Sequence, residues 1–297
     1  MTNDEYKPSS VQHSTLDPQS SSFAWQPLTP RGVAAFATAS LGRIGFVQLI
    51  VALLAATTVI WFLRNAWFPT VQEAIKHLPA HGDIHGGQLD WHGDSPAHLA
   101  EGLFLSFVVD LNHAGQAGRV AHLQVELGTA DFKICSLLGC VTLRYPKDWV
   151  AALNRTELEP WWGAWKPAIT AMIFLTTVLV LMVTWWLMAT LYWVPVWIIA
   201  LYENRDLSLK ESWKLAAAAL LPGALLQTAA IFFYGLNLID PIRFGISTIL
   251  HFAVGWFYLF ISPLCQPRRF ADLPGKANPF SGAPPGTGTD GKSNHGR

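Results

Sequence analysis

PAITAMIFLTTVLVLMVTWWLMATLYWVPVWIIALY, residues 167–202, runs thirty-six residues without a charged side chain. About 18 such residues suffice for a bilayer-spanning helix. As one helix the stretch would rise about 54 Å, well beyond a hydrocarbon core of about 30 Å. Its middle, residues 184–188, holds Thr, Trp, Leu and Met, with no Gly, Pro or Asn to turn the chain. The pattern therefore predicts one span over about 167–190, with a continuation bent near Pro195 that lies at the headgroup level. Trp161, Trp162 and Trp165 on one side, and Trp185, Trp186, Tyr192, Trp193 and Trp197 toward the other, suit two interfacial aromatic belts.

Three further apolar stretches flank this one, at 44–63, 215–239 and 244–264. The first lies between Arg43 and Arg64 and begins too deep in the chain for a secretory signal. Trp67, Phe68 and Pro69 follow it instead of a small-residue cleavage site, so it reads as a retained anchor. Pro222 and Gly223 are expected to bend the stretch at 215–239. Over the whole chain 51% of residues are hydrophobic and 13% charged, with zero net charge; a soluble domain carries about twice that charged share. Neither end has a dense basic tract, which argues against nucleic acid as a partner. Residues 1–30, rich in Ser, Gln, Pro and Asp, and the Pro/Gly-rich residues 266–297 are read as disordered tails.

These observations predict an α-helical polytopic membrane protein with four transmembrane helices and a small β-rich extracytoplasmic domain, residues 65–166, inserted between the first and second. Lys7, Arg31, Arg43, Arg205, Lys210, Lys214, Arg268, Arg269 and Lys276 then share one side. By the positive-inside rule that side is the cytoplasm. The expected location is the plasma membrane, with both termini and Cys265 inside and the lipid bilayer as a partner.

Within 65–166, residues 67–78 have a weak helical period, residues 84–91 alternate around Gly86 and Gly87, 103–111 suits a buried strand, and 123–127 a half-buried one. Residues 131–145 give the sharpest local expectation. A hairpin with its loop at 136–139 opposes Cys135 to Cys140, Ile134 to Val141, Lys133 to Thr142, Phe132 to Leu143 and Asp131 to Arg144. The apolar pairs then share one face, as a period of two requires. Directly opposed cysteines can form a disulfide, which an extracytoplasmic location permits.

Candidate chemistry is sparse. Gly82-Asp83-Ile84-His85-Gly86 is similar to the first metal motif of the serine/threonine-type metallophosphoesterases, but the later motifs of that family are absent and Lys76–His81 stands where a buried strand should precede it. A looser metal set comprises His81, Asp83, His85 and His92, with Asp90, Asp94 and His98 nearby, since imidazole and carboxylate together suit zinc-like ions. The Gly-rich turns around it make a solvated loop the plainer reading. Inside the apolar stretches lie Gln48, Gln227, Asn237 and His251; an ionisable group at that depth is a functional candidate, and hydrogen bonding between helices is the alternative. No cofactor motif is visible.

Leu78-Pro79, Gly86-Gly87-Gln88-Leu89-Asp90, Phe107-Val108-Val109-Asp110, residues 208–216 (SLKESWKLA) and Leu220-Leu221-Pro222 together give the layout its character. Over about 30–265 it resembles a bacterial family of polytopic membrane proteins of unknown function with a Yip-like membrane region. The resemblance implies a role in membrane organisation and no catalytic residues. The function expected from the sequence is a non-enzymatic membrane protein whose outer domain binds a partner or ligand. The alternatives are a transport or channel component using Gln227 and His251, and a metal sensor or metal-dependent enzyme using the His/Asp cluster.

Overall fold

The computed structural model describes residues 26–113, 115 and 121–268. The disordered tails expected at 1–30 and 266–297 lie outside these residues except for 26–30 and 266–268. Helix α1 (Pro30–Ala35) already begins at residue 30, where the Thr29 hydroxyl accepts from Gly32 N at 3.0 Å.

Helix α2 (Leu41–Phe62) is capped by Ser40 and passes through a π-helical turn, Leu63–Trp67, into α3 (Phe68–Lys76). Eight strands follow: β1 (Gly82–His85), β2 (Gln88–Trp91), β3 (Ala97–Glu101), β4 (Leu105–Val109), β5 (Leu123–Leu127), β6 (Asp131–Ser136), β7 (Gly139–Arg144) and β8 (Ala151–Ala152). They form a three-stranded sheet in the order β2-β1-β8 and a five-stranded sheet in the order β3-β4-β5-β6-β7. Among the described residues only β4 and β5 pair in parallel. Gly86 and Gly87, both at positive φ, make the two-residue turn between β1 and β2, a conformation glycine adopts without a Cβ clash.

Helix α4 (Arg155–Tyr202) is 48 residues long, about 72 Å at helical rise. It is followed by α5 (Leu209–Ala219), α6 (Leu221–Gly235), α7 (Pro241–Ile261) and a 3-10 turn, Ser262–Cys265. Ser208 and Glu211 close a reciprocal capping box at the start of α5. Pro222 has no N–H to give, and the helix is interrupted two residues before it, at Leu220. Asn237 stops α6 in the left-handed conformation while Leu238 N reaches back to Phe233 O at 3.0 Å. It is thus a helix terminator rather than an intramembrane polar group.

The helical core joins Ile44, Val47 and Val51 of α2, Trp185, Ala189 and Val196 of α4, and the alanines 216–219 of α5. Gln48 is fully buried here, its Nε2 donating to Ala217 O (3.3 Å) and its Oε1 accepting from Trp186 Nε1 (3.0 Å). A second core, of Ala74, Leu78, Leu99, Ala100 and Val109, packs α3 onto β3 and β4.

The fold class expected from the sequence is overturned. The chain has mixed α/β content, and its β-rich part, two sheets with eight strands among the described residues, follows the first long helix as a major component rather than as a small insert in a four-span helical protein. Strands of two to six residues broken by Gly and Pro carry too little periodicity to be counted from sequence, so the β content exceeds the expectation. Two helical boundaries are corrected as well. Helix α4 starts twelve residues before 167, because Asn154 Oδ1 accepts from Glu157 N at 2.9 Å and nucleates the helix inside the expected β-rich segment. The continuation expected to leave the span near Pro195 stays within the same helix.

Candidate functional site

The hairpin β6–β7 has the register that the sequence implied, pair for pair, with Ser136 opposite Gly139 closing a two-residue turn, Leu137-Leu138. Cys135 and Cys140 are joined by a disulfide, and Cys265 is free and exposed. Alternation sends Val141 and Leu143 to the face that also carries Phe132 and Ile134. Every residue of β7 is exposed, Val141 by 61% and Leu143 by 44%. Helix α3 covers the β3–β4 side of this sheet. In a two-residue hairpin Ser136 and Gly139 are the closing hydrogen-bonded pair, so Cys140, Thr142 and Arg144 turn their N–H and C=O groups toward the open edge.

On the opposite face the structure assembles a charged cluster that the sequence reading did not single out. His113 stands at positive φ in the crossover from β4 to β5. Its Nδ1 meets the Glu126 carboxylate and its Nε2 the Asp131 carboxylate; Lys133 Nζ lies 3.5 Å from Glu126. Burial alone would lower the ring's pKa, but its hydrogen bonds to Glu126 and Asp131 prevail and raise it above the ordinary value of 6.5. A Cβ on Gly128 would fall 2.3 Å from His113 Nε2, so the ring sits where only glycine leaves room. Tyr145, whose phenol burial pushes up to about 12, donates to Gly128 O at 3.3 Å. Polar residues at every second position of 124–126 and 131–133 were the available clue; the placement of His113 depends on a crossover that local sequence does not encode.

Of the metal candidates, His81, Asp83, Asp90 and His92 surround one open cleft at the β1–β8 end of the smaller sheet, beside Asn154 and Glu157. His85 stands apart from that cleft and pairs with Asp83 at 3.2 Å. His92 pairs with Asp90 at 3.7 Å. Among the described residues no three metal-ligating side chains converge on one point.

Gln227 and His251 are brought together. They line one mostly apolar cavity of about 320 Å³ with Thr177, Thr184, Tyr192 and Trp256, between α4, α6 and α7. Gln227 Nε2 donates to Thr248 Oγ1 at 3.3 Å, while its buried Oε1 has no hydrogen-bond partner. His251 Nδ1 faces the Thr248 carbonyl, which only accepts, so Nδ1 carries the proton of that contact. Gly223 permits this packing: a Cβ there would lie 2.4 Å from His251 O.

Four helical stretches are long and apolar enough to cross a membrane: Leu41–Lys76, Arg155–Tyr202, Leu209–Gly235 and Pro241–Cys265. Compared with family models, curated proteins and solved structures, the chain matches none of them. The likeness to a polytopic family with a Yip-like region therefore rests on the short patterns quoted above.

Proposed function

We propose that the chain is a non-enzymatic plasma-membrane protein, held in the bilayer by its apolar helices, that presents its β-rich part outside the cell for a partner to bind. The membrane half of this reading is supported by the outward faces of α4 and α7, where Leu175, Leu179, Leu187 and Ile249 are each more than 60% exposed; contiguous apolar surface of that kind is costly in water and favourable in lipid. Arg43, Arg205, Lys210 and Lys214 favour the cytoplasm for the helix ends away from the sheets.

The binding half is carried by the edge strand β7. An exposed edge whose Thr142 and Arg144 direct N–H and C=O groups outward beside an apolar face accepts an extended segment of another chain as an added strand. The partner is thus a protein offering an extended, apolar-alternating segment. A photocrosslinking amino acid at Val141 is expected to give one discrete adduct in intact cells. Thr142→Pro, which removes an outward N–H without touching the β6 ladder, should abolish it. Absence of an adduct at both 141 and 143, or an adduct indifferent to Thr142→Pro, would refute the assignment.

A second reading is transport of a small, largely apolar solute bearing a hydrogen-bond donor, and its support is the convergence of Gln227 Oε1 and His251 on the cavity. His251→Leu should then abolish solute flux into vesicles while leaving the protein folded; unchanged flux eliminates this reading.

A further inference from the structure

The loop of the β6–β7 hairpin is unusual in its chemistry. Two-residue hairpin turns favour Asn, Asp and Gly, yet here Leu137 and Leu138 occupy the turn, exposed by 59% and 99%. Their place in the fold gives this exposure a direction. Leu105 pairs with Leu123, Leu123 with Ser136, and Ser136 with Gly139, so the turn lies at the end of the sheet where β4 and β5 begin. That same end is fastened to the apolar helices. Phe104 packs against Phe62 (5.3 Å) and Tyr234 (5.0 Å), and His122 Nδ1 bonds the Tyr234 hydroxyl at 2.8 Å. Phe62 ends α2 and Tyr234 is one residue from the end of α6.

The turn therefore projects toward the level at which those helices finish. It is displaced sideways by about two strand spacings, roughly 10 Å, from the strands that rest on them. It stands beside the helical body rather than on top of it, which agrees with the nearly complete exposure of Leu138. Leu103, 47% exposed, projects from the same end. Arg64 and Lys166 line a groove with Ile60, Pro167 and Phe174 where α2 and α4 leave their apolar stretches, a placement suited to lipid phosphates. The Cys135–Cys140 bond closes the hairpin directly behind the turn and keeps it in register.

We propose that the Leu137-Leu138 turn inserts into the outer headgroup and upper acyl region of the bilayer, a lipid contact separate from the spanning helices that fixes the tilt of the five-stranded sheet and leaves the β7 edge open. The inference rests on the membrane reading above.

The test uses the full chain reconstituted into vesicles of phosphatidylcholine and phosphatidylglycerol. A nitroxide is attached through p-acetylphenylalanine at position 138, or at Lys147 on the far side of the hairpin, without altering any cysteine. The label at 138 should be relaxed severalfold more by oxygen than by a water-soluble nickel chelate, and the label at 147 should show the reverse. Nickel access at 138 equal to that at 147 would overturn the proposal. Spin–spin broadening at 138 would overturn it too, by placing the turn against a second copy. The same sample is floated in alkaline carbonate. Protein that floats while nickel reaches 138 defeats the turn insertion alone, whereas protein released from the vesicles defeats the membrane reading with it.

Discussion

His113 is the residue on which the β-rich part should depend most visibly. Glu126 and Asp131 grip both ring nitrogens, and Lys133 is the remaining charged group facing them. The folded pKa is raised above 6.5, so the charged ring contributes stability that is fully present below about 6.5 and is lost as pH rises through the higher folded value. Melting temperature should fall as pH rises above about 6.5, and the fall should be much reduced in His113→Gln. Gly128→Ala should act alike, because its methyl displaces the ring from both carboxylates at a cost of about 1–2 kcal/mol. A pH profile identical in wild type and both variants would contradict the role given to this cluster. Gln48, singled out by its polarity in an apolar stretch, proves to bridge α2, α4 and α5. Bonds of that kind average about 0.6 kcal/mol between membrane helices, the packing role that interhelical hydrogen bonding offered for this residue from sequence, whereas its partners came only with the packing of α4 and α5.

At the scale of elements, what could be read depended on whether the determinant was local. The 131–144 hairpin was fully legible because period-two alternation and two cysteines five apart allow one register, and the same holds for the Gly86-Gly87 turn. The start of α4 was written in Asn154 and Glu157, a cap and its first-turn acid, but the apolar run beginning at 167 drew the boundary to itself. Ser208 and Glu211 likewise mark α5 twelve residues ahead of Leu220, where the expected single stretch at 215–239 is divided. The parallel β4–β5 pairing and the return of β8 to β1 were illegible, since each joins segments whose contact is decided by the chain between them. The charged cluster and the Gln227–His251 cavity share that fate: their members come from separate elements, and only the packing of those elements brings them together.

For the whole molecule, composition made the apolar helices evident and hid the extent of the sheets beside them. Mixed α/β content of this kind still divides the surface into two chemistries: the apolar outward faces of α4 and α7, and the sheets with their charged cluster. The central claim is that the first lies in lipid and the second outside the cell. The three cysteines report on both, because Cys135 and Cys140 are bonded in the sheet and Cys265 is free near the opposite end of the chain's helices. Intact cells treated with a membrane-impermeant maleimide should show no labelled protein. After a membrane-impermeant phosphine, the exposed Cys140 should label readily and the buried Cys135 more slowly, with Cys265 reacting only once the membrane is permeabilised. Labelling of Cys265 from outside while the reduced pair stays protected would contradict the account.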